Sequence, residues 1–186
     1  RLMRIISGYL KGKKIDLPKD DLTRPLKDMV KESIFNIIEH SNDISSKLKE
    51  AVVLDLFSGT GSFGLECVSR GAKKVIFNEN YNSAIDILEK NIKNLNCENK
   101  CQILKSDCFN LLKNFNEKVD IIFMDPPFQE EKINELIISI MEANILKQNA
   151  LIIIHRNKKN DEYLSERLKI IDTRYYGLSK IIFAVN

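Results

Sequence analysis

The sequence is poor in the residues that build metal sites and disulfide frameworks. It contains two histidines, four cysteines and no tryptophan among 186 residues. The cysteines (Cys67, Cys97, Cys101 and Cys108) form no paired CxxC units and have no histidine near them, so no metal site is expected. We predict four reduced thiols, most of them buried.

Long hydrophobic runs are also missing. The longest are short, such as Leu151 to Ile154, whereas a membrane span needs about 18 apolar residues. No apolar core follows the basic residues at the N-terminus, so we expect no secretory signal and a cytoplasmic protein. The length and a composition of 44% hydrophobic and 30% charged residues predict one globular domain.

The net charge is only +3, but the positive residues are concentrated near the N-terminus. Residues 1–14 contain no acidic side chain. A basic surface of this kind favours a polyanionic partner such as RNA, although a solvated lysine-rich surface is the alternative. The candidate RNA-binding residues are Arg4, Lys11, Lys13, Lys14 and Arg24.

Glycine and proline positions divide the N-terminal region. Residues 3–17 alternate around Gly8 and Gly12, which predicts a small β-hairpin. Thr23-Arg24-Pro25 is predicted to open a helix with Pro25 at its first position, because apolar residues follow at helical spacing. We therefore expect a basic hairpin arm over residues 1–22 and an α/β core over residues 23–186.

From Ala51 onward, short apolar strands alternate with amphipathic helices. This pattern predicts a parallel sheet covered on both faces, in a doubly wound, Rossmann-like fold. The tail reads as two further strands joined near Gly177, with Gly71 ending the first helix of the core. The predicted strands of the alternating part are residues 52–56, 74–77, 102–104, 119–124 and 151–154.

The first of these strands leads into a glycine-rich turn. Gly59, Gly61 and Gly64 have the G-x-G-x-x-G spacing that is typical of nucleotide-cofactor sites. The carboxylate of Asp55, just before the turn, would repel a pyrophosphate and favour a cofactor with an ammonium and a sulfonium group. S-adenosylmethionine carries both charges, so the sequence favours it over NAD.

Acidic residues follow the next two strands. Glu79 is placed to accept hydrogen bonds from a ribose diol. Asp107 could accept from an adenine amino group, cap the helix that follows, or do both. The candidate cofactor-binding residues are Asp55, Phe57, Ser58, Gly59, Thr60, Gly61, Glu79, Asp107 and Cys108.

The fourth strand runs into Asp125-Pro126-Pro127-Phe128, which we predict to be the catalytic motif. The prolines stiffen the chain and leave free carbonyls. An acidic side chain beside such a carbonyl offers two acceptors to one NH2 group, while Phe128 can stack on a base. A base in a duplex or a folded RNA would first have to be exposed. This chemistry predicts methylation of an exocyclic amino group of a nucleobase.

These motifs resemble those of the bacterial 16S rRNA (guanine(966)-N2)-methyltransferase family. The similarity covers nearly the whole chain. Its more specific parts are Thr23-Arg24-Pro25 with its helix and Ser69-Arg70-Gly71-Ala72. The remaining matches are Arg4 to Gly8, Val53 to Gly61, Gly64 to Glu66, Asp125 to Phe128 and Tyr176-Gly177.

The resemblance implies a seven-stranded methyltransferase fold with a hairpin arm and a guanine N2 in the 16S rRNA of the small ribosomal subunit as target. It implies cofactor binding by Asp55, Gly59, Gly61, Glu79 and Asp107, and catalysis at Asp125 to Phe128. The chain departs from the family at Leu26, where relatives usually have Thr. It also departs at Phe128, where Tyr is frequent, so a hydroxyl is lost at each position.

Four alternatives fit the sequence less well. A DNA adenine-N6 methyltransferase shares the Asp-Pro-Pro-Phe chemistry but generally has an additional DNA-reading region. A protein-glutamine methyltransferase usually has Asn at the position of Asp125, and an NAD-dependent oxidoreductase conflicts with Asp55. A non-catalytic ribosome-assembly factor would not need the intact motif. Residues alone assign no role to His155 or Arg156, and a monomer is the default expectation.

Overall fold

The computed structural model describes residues 3–21 and 25–186, whose strands form two sheets. The small sheet pairs β1 (Met3–Arg4) antiparallel with β2 (Lys14–Ile15), which confirms the predicted hairpin. The large sheet has seven strands: β3 (Val52–Leu56), β4 (Lys74–Glu79), β5 (Cys101–Lys105), β6 (Val119–Met124), β7 (Leu146–Asn157), β8 (Lys169–Tyr176) and β9 (Ser179–Val185).

The large sheet is mixed rather than wholly parallel. Its strand order is β5-β4-β3-β6-β7-β9-β8, and β3 to β7 are parallel to one another. β9 pairs antiparallel with both β7 and β8. β7 is longer than the apolar run at 151–154 because its pairing with β9 continues as far as Asn157. The predicted strands are thus confirmed, and the parallel arrangement holds for five of the seven.

Five helices cover the two faces of this sheet. They are α1 (Asp28–His40), α2 (Ser62–Ser69), α3 (Asn82–Asn94), α4 (Cys108–Asn114) and α5 (Ile133–Glu142). Apolar residues of the hairpin, α1, α2 and α3 form one core with one face of the sheet. Residues of α4 and α5 form a second core with the other face. This layering confirms the doubly wound fold, and within the described residues no helix is long and apolar enough to cross a bilayer.

The beginning of α1 differs from the prediction. Pro25 does not occupy the first helical position, because the helix begins three residues later at Asp28. Lys27 precedes it in an extended conformation, and Leu26 is buried in the core. An acidic residue in the first turn is favourable at a helix N-terminus, and Asp28 provides it. Thr23 and Arg24, the other residues of the predicted helix start, lie outside the described residues.

The hairpin lies along α2 instead of projecting from the molecule. The backbone N–H groups of Ile6 and Ser7 donate to the buried carboxylate of Glu66, over 2.7 and 3.1 Å. Near its tip, the Tyr9 N–H donates to the carbonyl of Ser69 at the C-terminal end of α2. Gly8 has a φ of 85°, and a Cβ there would lie 1.9 Å from the Ser69 oxygen, so the close approach requires glycine.

Candidate functional site

The strand order reverses between β3 and β6, which are neighbours in the sheet. β4 and β5 extend the sheet on one side of this pair, and β7, β9 and β8 extend it on the other. In open α/β sheets, ligands bind in the crevice at the carboxyl ends of the strands where the order reverses. The glycine turn follows β3 and Asp125-Pro126-Pro127-Phe128 follows β6, so both predicted motifs lie at this edge.

Three residues in and beside the glycine turn have left-handed backbone conformations. Phe57, Gly59 and Gly61 have φ angles of 59°, 57° and 91°, which side chains with a Cβ rarely adopt. Gly64 permits close packing of α2 on the sheet, because a Cβ there would lie 2.3 Å from Cε1 of Phe77. The turn is therefore tight, and its third glycine holds α2 against β4.

Asp55 lies beneath this turn and is only 1% exposed. Its carboxylate accepts a hydrogen bond from the Gly64 N–H over 3.1 Å. Burial raises the pKa of Asp55 well above its usual range, and the nearby carboxylates of Asp125 and Glu79 raise it further. The charged groups that act on Asp55 are all acidic, so the site has a deficit of positive charge.

These features fit S-adenosylmethionine. A cofactor with an ammonium and a sulfonium group would supply the positive charge that three neighbouring carboxylates require. In addition, the Ser58 hydroxyl oxygen in the turn is buried and has no hydrogen-bond partner among the described residues. A buried hydroxyl without a partner is costly, which is consistent with a ligand that bonds to it.

The two acids of the neighbouring strands already bind backbone groups. Glu79 accepts hydrogen bonds from the N–H groups of Gly59, Asn80 and Tyr81 over 2.9 to 3.1 Å, so it links the glycine turn to the end of β4. Asp107 caps α4, as one of its two predicted roles requires, by accepting from Phe109 and Asn110.

Two further residues predicted to bind the cofactor, Thr60 and Cys108, are buried. Thr60 is buried, and its carbonyl accepts from the Asn91 side chain over 2.9 Å. Cys108 is the first residue of α4, and burial raises the pKa of its thiol to about 12. Like the other three cysteines it is a free thiol, and three of the four are buried, as predicted.

The Asp-Pro-Pro-Phe loop is held in place by a buried arginine. Arg156 is 1% exposed and donates to the carbonyls of Pro127 and Phe128 over 3.0 and 3.4 Å. It also donates to the Glu130 carbonyl and pairs with Glu162. The carbonyl of Pro126, in contrast, meets no donor in the described part of the chain. Pro126 is itself buried, so its carbonyl is an acceptor that the described residues of the chain leave without a partner.

The structure also shows contacts of His155, a residue to which sequence reasoning assigns no role. Its Nδ1 lies 2.8 Å from Oδ1 of Asp125, and its Nε2 lies 2.7 Å from the hydroxyl of Ser179. A weak signal was present, because His155 directly follows the apolar run of the strand next to β6. Met124 pairs with Ile154, so the residues that follow them, Asp125 and His155, are also adjacent.

The structure places the basic residues of the hairpin on its exposed surface. Arg4 donates to the Gly12 carbonyl over 2.7 Å, and Lys14 lies 3.5 Å from Asp16. Lys11 and Lys13 are exposed near the tip, toward the C-terminal end of α2. Arg24, the fifth candidate, lies outside the described residues.

A sheet of this order, with a glycine turn after its first strand and Asp-Pro-Pro-Phe after its fourth, defines the class of S-adenosylmethionine-dependent methyltransferases. Within that class, the chain belongs to the family described as "Conserved hypothetical protein 95", whose model matches residues 3–185. This membership confirms the resemblance found in the sequence at the level of the family.

Named relatives agree with this placement. The chain is 31% identical to "Ribosomal RNA small subunit methyltransferase D" of Haemophilus influenzae over 95% of its own length and 90% of the relative's. It is 30% identical to the Escherichia coli protein of the same name, over 85% of this chain and 76% of the relative. A crystal structure of a "putative methylase" from Haemophilus influenzae superposes with a TM-score of 0.80 at 29% identity, covering 100% of this chain and 99% of that one.

Proposed function

We propose that this enzyme transfers a methyl group from S-adenosylmethionine to the exocyclic N2 amino group of a guanine in the 16S rRNA of the small ribosomal subunit. The observation that carries the proposal is the pair of acceptors beside the glycine turn. These are the Asp125 carboxylate, whose Oδ2 has no donor among the described residues, and the unbonded Pro126 carbonyl. An NH2 group has two hydrogens, and these acceptors can bind one each.

The protein's task in this reaction is orientation. The lone pair of an exocyclic amine is delocalised into its ring, so the amine is a poor nucleophile until its plane is fixed. Asp125 and the Pro126 carbonyl would hold the two hydrogens, and Phe128, 36% exposed, would stack on the base. When bound, the cofactor would supply an electrophilic methyl group from its sulfonium, and cleavage of the S–CH3 bond would leave S-adenosylhomocysteine. The carboxylate of Asp125 would accept the proton that the methylated amine loses.

The cofactor would be held at the carboxyl ends of strands β3, β4 and β5. We assign its charged amino-acid part to the glycine turn and Asp55, its ribose to Glu79 and its adenine to Asp107 and Cys108. The negative potential of Asp55, Glu79 and Asp125 supports this orientation. Because Glu79 already bonds three backbone N–H groups, it would bind the ribose with its remaining lone pairs.

The choice of rRNA as substrate rests on the relatives, whose names specify the RNA of the small ribosomal subunit. The exposed basic residues of the hairpin support an RNA partner. We propose that the protein works in the cytoplasm as a monomer, on 16S rRNA, on the small subunit or on an assembly intermediate.

The test is methyl transfer from labelled S-adenosylmethionine to matched substrates. Small subunits that lack the modification, naked 16S rRNA, duplex DNA and a mixed protein fraction would be offered separately, and the labelled base would then be mapped. We expect label on guanine N2 in the rRNA or the subunit. Label confined to DNA adenine or to protein would overturn the substrate assignment while leaving the cofactor in place.

A further inference from the structure

We propose that His155, fixed by Ser179, is a positioning residue that orients the Asp125 carboxylate toward the substrate amine. This inference rests on the proposed function and adds to it a hydrogen-bonded series from β6 through β7 to β9. The relevant contacts are Asp125 Oδ1 to His155 Nδ1, 2.8 Å, and His155 Nε2 to Ser179 Oγ, 2.7 Å.

The sheet brings the three residues together. Asp125 immediately follows β6, His155 lies near the end of the neighbouring strand β7, and Ser179 is the first residue of β9. β7 and β9 pair antiparallel, with His155 opposite Ile181 and Asn157 opposite Ser179. Side chains two residues apart lie on the same face of a strand, so Ser179 and His155 share a face. Rigid strands therefore hold the imidazole from both sides.

The contacts also determine where the imidazole carries its proton. A carboxylate oxygen only accepts hydrogen bonds, so Nδ1 must be protonated to bond Asp125. In a neutral ring, Nε2 is then an acceptor, and the Ser179 hydroxyl donates to it. The Asp125 carboxylate thus selects the Nδ1–H tautomer, and the Ser179 hydroxyl supports it by donating to Nε2. The His155 side chain is 10% exposed, which limits competition from water.

The effect on Asp125 is geometric. The terminal torsion of an Asp side chain is broad, and the hydrogen bond from His155 restricts it in Asp125. With Oδ1 bound to His155, Oδ2 is the oxygen that has no donor among the described residues. The Phe128 ring meets the His155 ring edge-on, with centroids 5.6 Å apart, so the same imidazole contacts the residue proposed to stack on the base.

Two substitutions of similar size distinguish the contribution of Nδ1 from that of Nε2. The amide of Asn can occupy the position of Nδ1, whereas the longer Gln reaches the position of Nε2. His155→Asn retains a donor toward Asp125, and His155→Gln retains only the contact with Ser179. We expect His155→Gln to lower kcat about tenfold or more and His155→Asn to keep kcat within about threefold of wild type.

Both variants lose the ring beside Phe128, so both should raise the KM for RNA to a similar degree. Equal loss of kcat in the two variants, at equal melting temperature and equal cofactor affinity, would overturn the positioning role. If the wild-type enzyme methylates a different amine, the proposed rRNA substrate fails, and the same comparison is then made with that amine.

Nitrogen-15 NMR of the imidazole rings tests the inference without any substrate. The chain has two histidines, and His40→Gln removes the signals of the exposed one. We expect the Nδ1–H tautomer for His155 in otherwise wild-type protein and a mixture of tautomers in Asp125→Ala, because the Ser179 hydroxyl can either donate to Nε2 or accept from it. A predominant Nε2–H tautomer in the wild type would refute the proposal whatever the enzyme methylates.

Discussion

Three aspartates lie at the carboxyl edge of the sheet, and they differ in exposure and in hydrogen-bond partners. Asp55 is almost completely buried, and its pKa is raised. Asp107 is exposed and caps a helix through two backbone N–H groups. Asp125 is partly exposed and bonded to an imidazole on one oxygen. These differences in burial and hydrogen-bond partners fit the separate roles that we propose for Asp55 in cofactor binding and for Asp125 in catalysis.

The first prediction concerns Asp125. Replacement by Ala removes the acceptor for the amine, so we expect single-turnover methyl transfer to slow by at least about 100-fold, or about 2.7 kcal/mol. Cofactor affinity, measured by calorimetry, should stay within a few-fold because Asp125 is assigned to the substrate amine. Asp43→Ala, at an exposed site on the segment after α1, is the control. Transfer within a few-fold of wild type in Asp125→Ala would contradict the catalytic role.

The second prediction concerns Asp55, whose raised pKa makes it unfavourable for the stability of the protein without cofactor. Between its ordinary pKa and its raised one, the folded state binds more protons than the unfolded state. Stability therefore falls as the pH rises through that range. Asp55→Asn removes the titration, so we expect a higher melting temperature at neutral pH, by about 2–4 °C per kcal/mol, and a flatter pH dependence.

The same Asp55→Asn substitution should weaken S-adenosylmethionine binding, because the carboxylate is proposed to face the cationic part of the cofactor. Thermal unfolding with and without cofactor measures both effects in one series. A variant that is less stable without cofactor, or that binds the cofactor as tightly as wild type, would show that Asp55 is a structural acid only.

At the scale of the elements, periodicity and glycine positions predicted most of the fold. The five strands from Val52 to Ile154 and the glycine turn were identifiable because buried parallel strands are short apolar runs. The direction of β8 and β9 was not identifiable, since local sequence does not specify which strand a tail pairs with. The late start of α1 was missed because Pro25 suits a first helical position even where the burial of Leu26 keeps the chain extended.

For the candidate site, the sequence predicts which residues follow the strands but not the contacts between distant segments. The acids and glycines that follow strands β3 to β6 could be found because the carboxyl ends of parallel strands meet at one edge. The contact of His155 with Ser179 depends on the antiparallel return of β9. Arg156 binds the carbonyl of Pro127, which lies 29 residues earlier in the chain. Contacts between distant segments require the register of the sheet, which the sequence alone did not specify.

The third prediction belongs to the packing of α2 on the sheet. Gly64→Ala places a Cβ 2.3 Å from Cε1 of Phe77, so the helix or the ring must move. We expect a loss of about 1–3 kcal/mol in the free energy of unfolding, measured by urea denaturation, and weaker cofactor binding. Adding Phe77→Leu should recover part of both losses. Independent, additive effects of the two substitutions would show that this contact does not limit the packing.

At the scale of the whole molecule, one buried acid connects the hairpin to the rest of the fold. Glu66 is fully buried, and it accepts from the Ile6 and Ser7 N–H groups and from the Arg70 side chain over 3.1 Å. Lys31 of α1, also buried, lies 3.7 Å away, and burial lowers the pKa of its ammonium group. The hairpin, α1 and α2 therefore form one unit around a paired charge.

This docking limits which basic residues can lie close to the reacting base. The base of the hairpin adjoins the glycine turn, because Asn91 bonds both the Asp16 backbone and the Thr60 carbonyl. The tip lies at the other end of α2, about 12 Å away for a helix of eight residues. The backbones of Arg4 and Lys14 are thus nearer to the catalytic edge than those of Lys11 and Lys13, while the Arg4 guanidinium reaches back to the Gly12 carbonyl.

The last prediction follows from that difference in position. Reversing Arg4 and Lys14 to Glu should weaken RNA binding more than reversing Lys11 and Lys13, and it should lower the slope of log K against log salt by about 1–2. Reversal of Lys113 and Arg167, which are exposed outside the hairpin, gives the same change in net charge as a control. If the control pair and the hairpin pairs weaken binding equally, net charge attracts the RNA and the hairpin is not a specific contact. A larger loss from the tip pair would instead mean that the RNA extends along α2, away from the catalytic edge.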